Sequence, residues 1–409
     1  MAIIRRLIGA FVVSCLAVSA WAQELSAEQK TKILADVEGI VTERAFVPGV
    51  DFSKWKSFLE SKQTAIDEAK DVSAFTRIVN QTLREFGLSH MALLNPRSTK
   101  ARTQTTAVGP GMNMILEDKG LRVRAVLPEG PAKEAGINEK DIIVTVNGTK
   151  PTSVDALNGE KGTKFKVEIE NEKGEKREIE IELKEYSTVR KNTVTWFGED
   201  AAVLRVNSFT RGYERANIDE LVTEASKAKY LILDLRSNGG GAVNNLRHLL
   251  SCLMPDNTAY GTFISRTTAK DFTTARPTEE ATPEKIAEWA PVKAKTTKGK
   301  VEPFKGTLAV LINRGSASAS EITAAALQEL RGAKVIGTKT AGAVLASVFR
   351  NISEGFSVQY PVSDYVTIKG KRLEKGPVVP DVEVTAVRQG DGPDPVIEKA
   401  LEVLRGGLG

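Results

Sequence analysis

Residues 312–322, "INRGSASASEI", alternate three serines with small residues between an apolar run and a helix-like stretch. Gly315, Ala317 and Ala319 leave room for a tight turn that exposes the hydroxyl of Ser318. A helix starting at this point presents free N–H groups and its positive end to any anion that develops beside it. Those are the needs of a nucleophilic serine on a strand-to-helix elbow. The same pattern also reads as Ser316, Ser318 and Ser320 capping the helix, a common use of serine. A second loop, "SNGGGA" at 237–242, likewise follows an apolar run. Its glycines let backbone N–H groups point into a site, as an oxyanion hole requires. A phosphate cradle is the alternative, but no P-loop Lys-Ser/Thr pair follows and the spacing fails the dinucleotide fingerprint.

A serine nucleophile needs a base, and the 409-residue chain has 2 histidines. His248, in "LRHLLSC", falls mid-helix and suits a helix surface or a partly buried position. His90, in "GLSHMAL", sits just past a helix end, where a loop either aims a side chain into a cleft or leaves it on the surface. So few histidines and cysteines make a structural zinc site improbable, and no metal or other cofactor is expected.

The elements that must position these residues follow from periodicity. "MAIIRR", the apolar "LIGAFVVSCLAVS" and the small-residue "AWA" read as a secretory signal peptide, residues 1–22, cut after Ala22. Cys15 offers lipoprotein processing as the alternative. Cleavage removes Arg5 and Arg6, so the formal charge falls from +5 to +3, and leaves Cys252 with no disulfide partner. The expected location is periplasmic or secreted, with no membrane segment after cleavage. Acidic and basic residues are interspersed, which disfavours a nucleic-acid groove.

Residues 23–106 carry apolar residues at helical spacing, with "NPRSTKARTQTTA" as a polar linker. From 107 to 186 the period is two, with turns at Asn147-Gly148 and Lys173-Gly174 and one short helix at "EGPAKEAGI". From 187 to 392 strands and helices alternate, and "KYLILDLR" and "GTLAVLINR" read as buried strands. A C-terminal helix takes 393–409, and the 266–305 segment reads as a mobile insertion beside the cleft. The fold class is α/β, multi-domain, with loops gathered at the carboxyl ends of the strands.

"LILDLRSNGGG", "VLINRGSASASEITAAALQE" and "VIGTKTAGA" together resemble the C-terminal processing peptidases, or tail-specific proteases. "VGPGMNMILEDKGLRVRAVLPEGPAKEAGINEKDIIVTVNGTKP" is similar to the PDZ domain those enzymes carry, and "LEKGPVVPDVEV" to their closing strand. The resemblance covers roughly residues 75–390. It implies a ClpP/crotonase-like peptidase core, Ser318 as nucleophile, and the N–H groups of Ala319 and Gly240 as oxyanion donors. Asp234 and Arg236 would position the glycine loop. The chain departs from the family at the base: where a Ser–Lys dyad has its lysine, "TAGAV" places Ala343, and Lys339 is read as solvated.

The tricorn-type branch of the superfamily instead uses an adjacent Ser-His pair and a glutamate in the closing segment. Ser89-His90 and Glu374 of "RLEKG" match that order. His90 would then accept the Ser318 proton and Glu374 would orient the site, with Ser89 completing the network. The PDZ resemblance implies polypeptide substrates taken by their C-terminal tails on the loop of Gly109, Gly111 and Met112. Pro110 lacks one N–H donor in that loop. The expected activity is serine endopeptidase; the alternative is an inactive peptide-binding scaffold that lost its base with Ala343.

Overall fold

The computed structural model describes residues 24–127, 129–386, 388 and 392–406, so the expected signal peptide lies outside the described residues. The chain opens with α1 (Ala27–Glu43), which Ser26 caps reciprocally with Gln29. Its buried face, Ile33, Val37, Ile40 and Val41, keeps the helical spacing. Helices α2 (Trp55–Glu60), α3 (Gln63–Asp67) and α4 (Val72–Arg84) follow. Strand β1 (Ala92–Leu94) comes next, and then α5 (Pro96–Thr103). This last helix corrects the expected linker: Asn95 caps it and Pro96 opens it, so the start signal was present and its polar composition hid it.

Strands β2 (Thr106–Gly109), β3 (Met112–Glu117) and β4 (Gly120–Val126) lead to the short helix α6 (Pro131–Glu134). Strands β5 (Ile142–Val146), β6 (Lys164–Glu170), β7 (Lys176–Glu182) and β8 (Lys184–Ser187) complete the β-rich unit. Strands β3 to β7 form one antiparallel sheet in sequence order, with β3 at its edge, and β2 pairs β8. Leu121, Val123, Ile143, Val167 and Ile181 fill the core of this unit.

The α/β core starts with β9 (Thr193–Phe197), β10 (Ala201–Arg205), α7 (Arg215–Ala225), β11 (Tyr230–Asp234) and α8 (Val243–Ser251). The chain then leaves this layer as β12 (Ala259–Ser265), α9 (Arg266–Ala275), α10 (Pro283–Trp289) and β13 (Ala294–Lys295). It returns through β14 (Thr307–Ile312), α11 (Ala319–Arg331) and β15 (Lys334–Gly337). Last come β16 (Ala346–Asn351), β17 (Ser357–Thr367), β18 (Val382–Glu383) and α12 (Pro395–Leu404). The main sheet runs β18-β15-β14-β11-β10-β9, parallel except for β9. All five residues of β11 are buried, as a strand covered on both faces requires. Residues of α7, α8 and α11 close one face and α12 the other.

A second sheet is built on β17, which pairs β1, β12 and β16. The N-terminal helices pack on it through Phe75, Phe356, Val358 and Tyr360. The 266–305 segment is corrected as well. Helices α9 and α10 bury Phe272 and Ile286 against Ile264 and Val366, so this stretch is part of a core and not a loose insertion.

Candidate active site

The elbow after β14, the glycine loop after β11 and the turn between α4 and β1 all border a cleft of about 570 Å³, which residues 344–347 also line. At the elbow the three serines part company. Ser316 and Ser320 are fully buried, and their hydroxyls donate to Leu235 O and Asn238 O, each at 2.8 Å. Ser318 is the N-cap residue of α11 and stays partly exposed in the cleft, so of the three serines it alone keeps the capping reading. Its backbone is forced to φ 55° and ψ −116°, a conformation that costs a non-glycine residue on the order of 1–3 kcal/mol. The Ser318 N–H donates to Ala343 O at 3.0 Å and to Glu321 Oε2 at 3.1 Å, which holds that conformation.

Gly240, at φ 87°, packs directly beneath the elbow. A Cβ there would stand 2.6 Å from Ala317 O and 2.7 Å from Ser318 Cβ. Its N–H does not point into the cleft as expected. The N–H donates to Asn238 Oδ1 at 2.9 Å, because Asn238 is fully buried and needs partners for both ends of its amide. Gly239, Gly241 and Ala319 line the cleft, and their amides find no acceptor among the described residues. Asp234 and Arg236 stay out of the cleft. Arg236 bridges Asp234 and Asp394, tying the start of the glycine loop to the cap of α12.

The histidine turn is equally fixed. Asn80 of α4 brackets Leu93 of β1, its side chain accepting from Leu93 N and donating to Leu93 O. Between them His90 sits at φ 58° and lines the same cleft as Ser318. Ser89 Oγ donates to Glu374 Oε2 at 2.8 Å and stands 2.6 Å from His90 Nδ1. A hydroxyl has one proton, and here it goes to the carboxylate. Ser89 Oγ therefore accepts from Nδ1–H, and His90 Nε2 carries the free lone pair. Burial lowers the His90 pKa, and the Glu374 charge opposes that shift. Glu374 is nearly fully buried and also accepts from Ser89 N and Val344 N, each at 2.8 Å.

Ala343 contributes only backbone here, accepting from Ser318 and donating to Glu321, while Lys339 is exposed. His248 lies outside the cleft, paired with Asp219 and Tyr213. Gly109, Gly111 and Met112 sit together at the β2–β3 junction, away from the cleft, and Gly111 packs against Gly130. Two residues were missed in the sequence. Glu321 is fully buried and accepts from Thr340 Oγ1, Gly342 N, Ala343 N and Ser318 N. Its place three residues after Ser318 is capping-box spacing, a signal that was available. Arg102 lies over the Phe349 ring at 4.3 Å on the cleft wall, and nothing local marks it.

Residues 200–384 match the model of peptidase family S41 and residues 101–170 the PDZ domain model. A probable CtpA-like serine protease of Staphylococcus epidermidis is 27% identical over 287 residues, 68% of this chain and 53% of that protein. The chain thus spans about half the length of the first curated relatives it matches. A carboxyl-terminal-processing protease of Synechocystis is 27% identical over 322 residues, 75% of this chain and 70% of its own. In structure, the photosystem II D1 C-terminal processing protease superposes with a TM-score of 0.52 at 22% identity, covering 94% of this chain and 98% of that one, a likeness of fold. Residues 200–384 therefore belong to peptidase family S41, behind a PDZ domain at residues 101–170.

Proposed function

We propose that this protein is an exported serine endopeptidase that hydrolyses peptide bonds in unfolded or C-terminal protein segments. Ser318 is the nucleophile and His90 the general base. The observation that carries the reading is the Glu374–Ser89–His90 relay, which leaves His90 Nε2 unprotonated in the cleft that exposes Ser318. Nε2 accepts the Ser318 proton as Oγ attacks the substrate carbonyl. The imidazolium that forms is stabilised by Glu374 through Ser89 and returns its proton to the leaving amine. The Ala319 amide at the start of α11, with the unbonded amides of Gly239 and Gly241, supplies donors for the oxyanion. Water then attacks the acyl ester by the same route in reverse.

The PDZ domain supports polypeptide substrates. Strand β3 is a sheet edge with Ile115 and Leu116 exposed, a surface to which an extended chain adds as a further strand. The test is labelling by a fluorophosphonate probe with mass spectrometry of the adduct. An adduct on Ser318 that disappears in both Ser318→Ala and His90→Ala is expected. Labelling that persists in His90→Ala removes His90 as the base. A folded wild type that takes no label turns the reading toward a scaffold without catalysis.

A further inference from the structure

Behind the cleft wall, α7 and α8 bring together Asp219, His248 and Cys252, whose ligand atoms all lie within 4.8 Å of one another. His248 lies in α8 and Cys252, four residues on, caps its C-terminal end, while Asp219 comes from α7. We infer that this cluster is a binding site for a borderline-soft divalent cation, zinc above all.

The distances support it. His248 Nε2 stands 3.1 Å and Cys252 Sγ 3.7 Å from the same oxygen, Asp219 Oδ1. Tetrahedral zinc with ordinary bond lengths separates an N,O ligand pair by about 3.4 Å and an S,O pair by about 3.6 Å. Both pairs that include the Asp219 oxygen are within a few tenths of an ångström of those spacings, and the imidazole and thiol ligand atoms lie within 4.8 Å of each other. His248 presents Nε2 to the cluster because its Nδ1 is engaged by the Tyr213 hydroxyl at 3.0 Å, the kind of outer hydrogen bond that fixes a ligating imidazole. Tyr213 and Cys252 are themselves buried in the apolar core.

Charge balances as well. Burial lowers the His248 pKa, with Asp219 opposing that shift and Arg215 and Lys300 adding to it. A thiolate and a carboxylate together neutralise a divalent ion. Without metal the thiol stays protonated, since burial, reinforced by Asp219, pushes it up to about 12. As the sulfur–metal bond forms, that proton leaves to solvent. A soft sulfur with imidazole selects zinc or cobalt over magnesium and calcium, and solvent takes the fourth position beside the half-buried Asp219 and His248. Val243 and Leu246 of the same helix α8 line the active cleft, so an ion here clamps α7 to the helix that follows the glycine loop.

The test is titration of the chelator-treated protein with cobalt(II), followed by zinc competition. Saturation at one cobalt per chain is expected, with thiolate-to-cobalt charge-transfer absorption that zinc abolishes. Cys252→Ser loses that absorption, Asp219→Asn weakens cobalt binding on the order of tenfold or more, and His90→Ala changes neither. A wild-type protein that binds no cobalt, or binds it without the thiolate band, overturns the site whatever the variants do. So does a band that survives Cys252→Ser.

Discussion

At the scale of single residues, the cleft depends on where protons sit. His90 must be neutral to act as a base, and burial has moved its pKa below the ordinary value of about 6.5. The acid limb of kcat/KM is therefore expected below pH 6.5, and a limb at or above that value would exclude His90. Glu374 raises the His90 pKa, so Glu374→Gln should shift the limb further toward acid. It should also lower the plateau by roughly 10²–10⁴-fold, since the Nδ1–H tautomer loses its anchor. A pH–rate profile of both proteins reads the two effects separately. Glu321 carries a different burden. Burial pushes its pKa up, yet four donors converge on it. In Glu321→Gln one carboxylate oxygen becomes an NH₂ that faces N–H groups. A loss of about 1–3 kcal/mol in urea unfolding is expected, with weaker probe labelling as the elbow relaxes.

At the scale of elements, the elbow and the glycine loop behave as one piece. Ser316, Ser320, Asn238 and Ala317 bond across them, and Gly240 fills the seam where no side chain fits. Gly240→Ala should abolish Ser318 labelling and lower the melting temperature. An active and equally stable variant would show that the seam yields. The sequence reads 266–305 as a mobile insertion, whereas Phe272 is buried and meets Trp289 edge to face. Phe272→Ala is expected to cost about 3–5 kcal/mol and to open this segment to limited proteolysis, to which the wild type should be resistant there.

At the scale of the whole molecule, α5 and the strands that bound the PDZ unit meet the core at Arg211, which donates to Ala101 O and Thr188 Oγ1, each at 3.2 Å. Arg211 also lines the cleft, so the tether and the site share a wall. Arg211→Ala should leave the core folded yet raise cleavage by an added protease near residues 101–106, measured by the mass of the first fragments. The sequence by itself determined the local units: helices from three- and four-residue spacing, the β-rich unit from alternation, and the parallel core from continuous apolar strands. It also singled out Ser318, His90 and Glu374, because motif order is written along the chain. Only the tertiary structure decided that Ser89 joins Glu374 to His90, that the Gly240 N–H is spent on Asn238, and that Asp219, His248 and Cys252 converge. Those facts depend on hydrogen bonds and contacts between residues tens or hundreds of positions apart. No local propensity encodes such distances; burial and the need to satisfy buried polar groups fix them once the layers have packed.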